Sequence, residues 1–406
     1  MTSFLQLALL LSIILFSAKL AGYLSVRLGQ PSVLGELLIG ILLGPSVLDL
    51  LSLPVIEPVL ADTIAEFGEL GVLLLMFIAG LELHLHELRQ NTRVAASAGF
   101  LGVLLPTALG WAAGRLFGMD NSTSIFLGLT LGATSVSISA QTLMELKVLR
   151  SRVGLSLLGA AVFDDILVIL ALSLFLAVEA GAASVTGTLV ILARMFLFLI
   201  LSAGFGLWAL PGLMRRIANL PISRGVLTLA LVVMLAYGLI AELLGGMAAI
   251  TGAFIAGLMM SRSGERERVE NGIHALAYGL FVPVFFINIG LSVNVRTLQL
   301  GMVIFALVIT LVAILGKWLG AGLGARLGGL DKRESVQLGA GMVSRGEVGL
   351  IVASVGIDQG LIQPDEFSAL VIMVLVSTLI TPPILRSLFA GKTAKAEGTS
   401  INEEAV

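Results

Sequence analysis

Asp164 and Asp165 stand side by side in an apolar run from about Gly154 to Glu179 that reads as one helix. A carboxylate at the centre of a bilayer costs about 2.5–3.5 kcal/mol on insertion scales, and adjacent ionised carboxylates also repel each other. Such a pair is hard to explain as structure in an apolar helix and reads as a site for a cation or a proton. The reading requires a membrane-embedded chain, and composition supplies one. Of the 406 residues, 57% are hydrophobic and only 12% charged, with a mean hydropathy of +1.06, whereas a soluble domain carries about 25% charge. The net charge of −2 offers no footprint for nucleic acid, and the absence of cysteine excludes disulfides, thiolate metal ligands and cysteine nucleophiles. Enzymatic chemistry and a cofactor are not expected. Glycine strings such as Gly320-Ala-Gly-Leu-Gly lack the strand-turn-helix context of a nucleotide site and read as packing glycines.

The elements that must hold the pair follow from hydropathy. Thirteen apolar segments approach the spanning length of about 20 residues, without the alternation of a barrel strand, so the expected fold is an all-α polytopic membrane protein with 13 transmembrane helices. Met1-Thr-Ser has no positive n-region, and the first segment reads as a retained helix. Every second loop is basic, as in Lys147, Arg150 and Arg152, or Arg326, Lys332 and Arg333. The alternate loops hold only Arg115 and Arg296 as basic groups and are otherwise acidic. The positive-inside rule therefore puts the N-terminus outside and the C-terminus in the cytoplasm. Lys19, Arg194, Lys317 and Arg345 are left within spans; Lys19, near an inner end, is placed to snorkel.

The segments also repeat. Gly35 and Gly40 of the second share their spacing with Gly252 and Gly257 of the ninth. Ile78-Ala-Gly80-Leu in the third matches Ile289-Gly290-Leu in the tenth, and Ser124 to Gly128 in the fifth matches Ser335 to Gly339 in the twelfth. The shift is seven segments throughout, and an odd shift inverts the second copy. Chance similarity among glycine- and leucine-rich spans is the alternative. The fifth and twelfth segments are each interrupted at mid-depth, by Thr134, Ser135, Ser137 and Ser139 in one and by Ser344-Arg345-Gly346-Glu347 in the other. Broken backbone is tolerated in a bilayer only where it lines protein or a polar cavity, so two discontinuous helices crossing at mid-depth are expected, with Arg345 and Glu347 neutralising exposed helix ends. Close packing through small residues does not account for Arg345 and Glu347.

Neighbours on a helix point about 100° apart, so Asp164 and Asp165 cannot serve the same partner. One is expected to face an ion cavity and the other to meet a countercharge. Lys317 is the lysine at comparable depth. A static pair that only ties two helices together is the alternative role.

Together, Ala160-Ala-Val-Phe-Asp164-Asp165-Ile-Leu, Ala133-Thr-Ser-Val-Ser, the Lys317 segment and Ser344-Arg-Gly-Glu-Val resemble the two-aspartate sodium/proton antiporters of the monovalent cation:proton antiporter superfamily. Gly35-Glu-Leu-Leu-Ile-Gly and Ile78-Ala-Gly-Leu-Glu-Leu resemble its second branch, which also contains glutathione-gated potassium efflux systems. The likeness spans about residues 1–390. It implies that Asp165 is the main ion and proton carrier, that Asp164 pairs with Lys317, that sodium binds at Asp164 and Asp165, that Thr134 and Ser135 line the site, and that Arg345 and Glu347 stabilise the second break. It further implies a homodimer in which a core, about 68–180 and 270–388, moves against a dimerisation scaffold, about 1–50 and 184–262, followed by a tail at 391–406. A bacterial inner membrane is the expected location, with lipid and monovalent cations as partners. The potassium systems typically have Gln-Asp at the pair and a nucleotide-binding domain, and the Asp-Asp pair and short tail here favour sodium without excluding potassium. A sodium-coupled organic-anion symporter and a channel-like or sensory protein are the competing classes. His84, His86 and His274 are read as solvated residues near cytoplasmic ends, and Glu36 and Glu82 as bonded to neighbouring helices, with Glu82 a candidate guide for cations.

Overall fold

The computed structural model describes residues 2–54, 56–82, 92–179, 185–294, 296 and 299–403, and every regular element among them is helical. His84 and His86 lie outside the described residues. Among the described residues, nine helices are long and apolar enough to cross a membrane, and Ser32–Leu43, Ala249–Met260 and Val348–Asp358 are shorter apolar helices. The chain forms two compact units, one of Met1–His84 with Ile169–Arg296 and one of Leu85–Val168 with Thr297–Val406.

The first unit holds α1 (Ser3–Arg27), α2 (Ser32–Leu43) and α3 (Val59–Glu82). The second opens with α4 (Thr92–Leu116), α5 (Asn121–Gly132) and α6 (Val136–Glu145). α7 (Arg152–Glu179) crosses the division, which leaves Asp164 and Asp165 in the second unit. The first unit resumes with α8 (Val185–Gly204), α9 (Leu210–Ala218), α10 (Gly225–Ile240), α11 (Ala249–Met260), α12 (Arg266–Leu276) and α13 (Val282–Leu291). The second ends with α14 (Leu300–Gly328), α15 (Lys332–Gly341), α16 (Glu347–Asp358) and α17 (Pro364–Glu403). Within the first unit, α3, α12 and α13 pack with α1, α2 and α8–α11.

Within the first unit, α2 packs on α13 and α3 on α11. The glycines that carry the repeat make these crossings close. A Cβ on Gly40 would stand 2.6 Å from the Ile287 carbonyl oxygen, and one on Gly290 would meet the Gly40 backbone. At the other crossing, Cβ atoms on Gly80 and Gly257 would collide with the Phe254 and Phe77 carbonyls. Since α2 corresponds to α11 and α3 to α13, the two crossings are copies of one arrangement. Leu10, Ile14, Leu60, Ile64, Val284 and Ile287 fill the space between α1, α3 and α13. Three π-helical turns, Phe205–Ala209, Ala241–Gly245 and Ala277–Phe281, interrupt the helices of this unit. Lys19 Nζ donates to the Tyr278 carbonyl (2.7 Å), and Arg194 donates to the Leu244 and Leu243 carbonyls (2.8 and 3.0 Å). Two of the four basic residues within spans thus satisfy carbonyls at π-turns, where the α-helical bonding pattern is broken and a bilayer offers no water.

In the second unit, α14 carries exposed leucines at 307, 311, 315, 319, 323 and 327, a stripe suited to lipid. Gly316, Gly320 and Gly324 repeat at the same four-residue spacing one position on from Leu315, Leu319 and Leu323, about 100° around the helix, and there a Cβ would strike Pro106, Leu101 and Ser97 of α4. This small-residue seam draws α14 against α4 and carries Lys317, next to Gly316, into the interior. A cluster of Val94, Ala98, Val153, Leu157, Ala321, Leu338, Leu385 and others packs beneath it. Both interrupted segments start at an aspartate cap. Asp120 accepts from the Ser122 and Thr123 amides (3.0 and 3.3 Å), and Asp331 forms a capping box with Glu334. Each cap satisfies amides that have no partner inside the helix.

Candidate functional site

α5 ends at Gly132 and α6 starts at Val136, while α15 ends at Gly341 and α16 starts at Glu347. The linking segments cross. Ser135 N donates to the Ser344 carbonyl (2.9 Å), and Ser344 Oγ donates to the Ser135 carbonyl (2.8 Å). Ser139 Oγ donates to the Gly341 carbonyl (2.5 Å) and lies 3.1 Å from Ser344 Oγ. A Cβ on Gly346 would stand 2.6 Å from the Ser135 side chain, so only glycine permits this approach. The serines that interrupt each helix therefore satisfy the carbonyls freed by the other.

The C-terminal end of α5 meets two cations. Lys317 Nζ donates to the Gly132 carbonyl and to Asp164 Oδ1, each at 2.5 Å. Arg345 donates to the Ala133 carbonyl (2.7 Å) and to the Ala313 carbonyl of α14 (2.9 Å). Thr378 Oγ1 of α17 donates to the Arg345 carbonyl (2.6 Å). Lys317, Arg345 and Asp164 have no solvent exposure at all. A helix C-terminus carries about half a negative charge, and buried cations are tolerated only when paired and hydrogen-bonded. Lys317 meets both conditions through Asp164 and the Gly132 carbonyl, whereas Arg345 is hydrogen-bonded to two carbonyls and its Nε has no hydrogen-bond partner among the described residues. Arg345, placed by its sequence at the break between α15 and α16, thus serves the break between α5 and α6.

Asp165 is partly exposed while Asp164 is fully buried, as the turn between adjacent helical positions requires. The hydroxyl of Thr134 and Oδ2 of Asp164 are buried with no hydrogen-bond partner among the described residues. They are oxygen donors without a protein acceptor role, of the kind that suits a hard monovalent cation. The structure thus brings together Thr134, Ser135, Asp164, Lys317 and Arg345 around one break, with Asp165 adjoining on α7. Glu347 opens α16, but its side chain lies outside the described residues. The carbonyls of Gly132, Ala133 and Ala313 and the Thr378 hydroxyl are additional parts of the site. Sequence reasoning missed them because carbonyls have no sequence signature and Thr378 is one of several hydroxyl residues in α17.

A family model described as "Sodium/hydrogen exchanger, transmembrane" matches residues 13–391. The Na(+)/H(+)-K(+) antiporter GerN of Bacillus cereus is 42% identical over 382 residues, covering 94% of this chain and 96% of that protein. A Na(+)/H(+) antiporter of Enterococcus hirae is 37% identical over 379 residues, covering 93% and 96%. Among solved structures, the sodium proton antiporter MjNhaP1 of Methanocaldococcus jannaschii at pH 8 superposes with a TM-score of 0.71 over 96% of this chain and 98% of that one. Its sequence identity is 17%, so this is a likeness of fold.

Proposed function

The chain belongs to the sodium/hydrogen exchanger family, and from that premise we propose that it exchanges sodium for protons across a bacterial inner membrane by competition at Asp165. One observation carries the reading: the buried Asp164–Lys317 pair at 2.5 Å, anchored to the broken end of α5 beside a partly exposed second aspartate. With Lys317 and Arg345 protonated and both aspartates ionised, the four charges sum to zero. A proton on Asp165, or a sodium ion between the carboxylates, adds one positive charge in either case, and exchange is then electroneutral. If sodium draws Asp164 away and Lys317 gives up its proton, the sodium-loaded site returns to zero. Two protons then move per sodium, and the cycle carries net charge. We favour this electrogenic cycle because Asp164 already holds Lys317 and its Oδ2 has no donor among the described residues. Thr134 and Ser135 line the site in this reading, and Arg345, with Glu347, keeps the broken ends neutral.

The wider arrangement follows the family resemblance. The protein works as a homodimer in lipid, N-terminus outside and C-terminus inside, and about 68–180 and 270–388 move as a core against about 1–50 and 184–262. Potassium is the second cation to consider, because a relative of 42% identity is named for potassium as well as sodium. The test is proteoliposome exchange, with internal pH followed as sodium or potassium is added. Sodium-driven alkalinisation or acidification that responds to a clamped membrane potential supports the electrogenic cycle. Exchange indifferent to the potential rules out two protons per sodium, and no cation-dependent pH change sinks the assignment.

A further inference from the structure

We propose that Glu82, Glu270 and His274 bind a divalent transition-metal ion of the zinc or cobalt type, at a place separate from the aspartate site. Glu82 is the last residue of α3. Glu270 and His274 lie four positions apart on α12, and that spacing puts both side chains on one face. All three belong to the first unit, where α3 and α12 pack together. One ligand atom from each residue lies within 4.8 Å of the other two. A tetrahedral ion with bonds of about 2.0–2.2 Å holds its ligands roughly 3.3–3.6 Å apart, so a small side-chain closure is enough.

The pair of His274 and Glu82 separates this cluster from an ordinary acidic patch. His274 Nε2 lies 3.1 Å from Glu82 Oε1. Nevertheless Nε2 is buried from solvent and forms no hydrogen bond among the described residues. Two polar atoms at that distance without N–H···O direction have the relation of neighbouring ligands on one ion. The imidazole is backed by Tyr278, with ring centroids 5.4 Å apart, which restricts its rotation. Glu82 is half exposed, so an ion in solution can reach the cluster.

The ligand set chooses the ion. Calcium and magnesium take oxygen ligands and fill six or more positions, whereas imidazole with carboxylates suits zinc, cobalt or nickel. Three protein ligands leave a fourth position for water. Arg266 Nε lies 3.4 Å from Glu270 Oε2, a positive charge that competes with a second cation for this carboxylate. The site should therefore bind more weakly than a closed zinc centre. An ion there would tie the end of α3 to α12.

The test uses the full chain in detergent, freed of any histidine tag and treated with a chelator, titrated with zinc chloride by calorimetry and with cobalt chloride by visible absorption. The expected result is one ion per chain and the intense visible bands of tetrahedral cobalt. Loss of an outer-shell partner alone weakens metal sites about 10–100-fold, so His274→Ala and Glu270→Gln should each weaken zinc by more than about tenfold. Arg266→Gln should strengthen it. All variants should keep the wild-type thermal midpoint in the absence of metal. Absence of binding, or equal binding by wild type and His274→Ala, would overturn the proposal and leave His274 and Glu82 as a simple pair.

Discussion

Replacing Lys317 by methionine puts the architecture of the site under the most direct strain. At 2.5 Å from Asp164, and with an effective dielectric of about 20, the gross attraction is about 7 kcal/mol. Desolvation of the two fully buried ions costs several kcal/mol each, so the intact pair contributes little net stability. Breaking it is different, because Lys317→Met strands a buried carboxylate, at about 3–5 kcal/mol. It also removes the charged donor to the Gly132 carbonyl, worth about 1.5–3 kcal/mol. Asp164→Asn keeps an acceptor for the amine and should cost less. The double variant Asp164→Asn with Lys317→Met removes both charges, and the two changes should couple by about 2–3 kcal/mol. Thermal midpoints of the four proteins, purified in one detergent and heated at one rate, report the cycle. The double variant is expected above Lys317→Met. A double variant that falls by the sum of the two single losses would refute the pairing as an energetic unit.

The other expectations rest on different parts of the structure. Thr134→Ala removes a hydroxyl without a hydrogen-bond partner among the described residues, so its thermal midpoint should stay near wild type while sodium affinity measured by calorimetry falls. Arg345→Gln leaves the Ala133 and Ala313 carbonyls without a charged donor; a loss of about 3 kcal/mol or more and poor recovery from membranes are expected, read by thermal unfolding. Gly257→Val places a Cβ against the Phe77 carbonyl and should cost at least about 1–3 kcal/mol on the same assay, whereas Gly264→Ala, with open space around its Cβ position, should cost little. At the cap of α5, the hydrogen bond with Thr123 and those from the Thr123 and Ser122 amides hold the Asp120 carboxyl below its ordinary value. The cap's contribution is present above the unfolded value of about 3.9 and is lost as pH falls through the lower folded value. Asp120→Ala should therefore lower the thermal midpoint at pH 7, and the gap from wild type should narrow in acid below about pH 4.

Much of this arrangement was legible in the sequence because charges and glycines are costly in a bilayer and so stand out. Asp164, Asp165, Lys317 and Arg345 were visible as charges in apolar runs, and the serine-rich breaks as polar interruptions at matching depths. The glycines at 40, 80, 257 and 290 marked the expected repeat as parts of matching short motifs. What spacing could not give was their pairing, α2 with α13 and α3 with α11, since that depends on how the copies fold together. Partners far apart in the chain were hidden for the same reason. Arg345 reaches Ala133 across 212 positions, and its position between α15 and α16 says nothing of that target. The π-turns left no mark either, because one extra residue in a helical turn changes hydropathy hardly at all. Hence Lys19, read as a snorkelling residue, is found on the Tyr278 carbonyl. His274 was read as a solvated loop residue; it lies on α12 beside Glu82, a neighbour 192 positions away in the chain.

The claim that sodium and protons compete for one carboxylate is tested most directly by counting protons released as sodium binds. The purified chain, in weakly buffered solution, is titrated with sodium chloride while calorimetry and a pH indicator are read together, for wild type and Asp165→Asn. Competition predicts a sodium affinity that falls by up to about tenfold per pH unit for each proton displaced, with release approaching two protons per sodium if Lys317 takes part, and no saturable sodium binding in Asp165→Asn. Sodium binding without proton release, or binding unchanged by Asp165→Asn, would contradict the account.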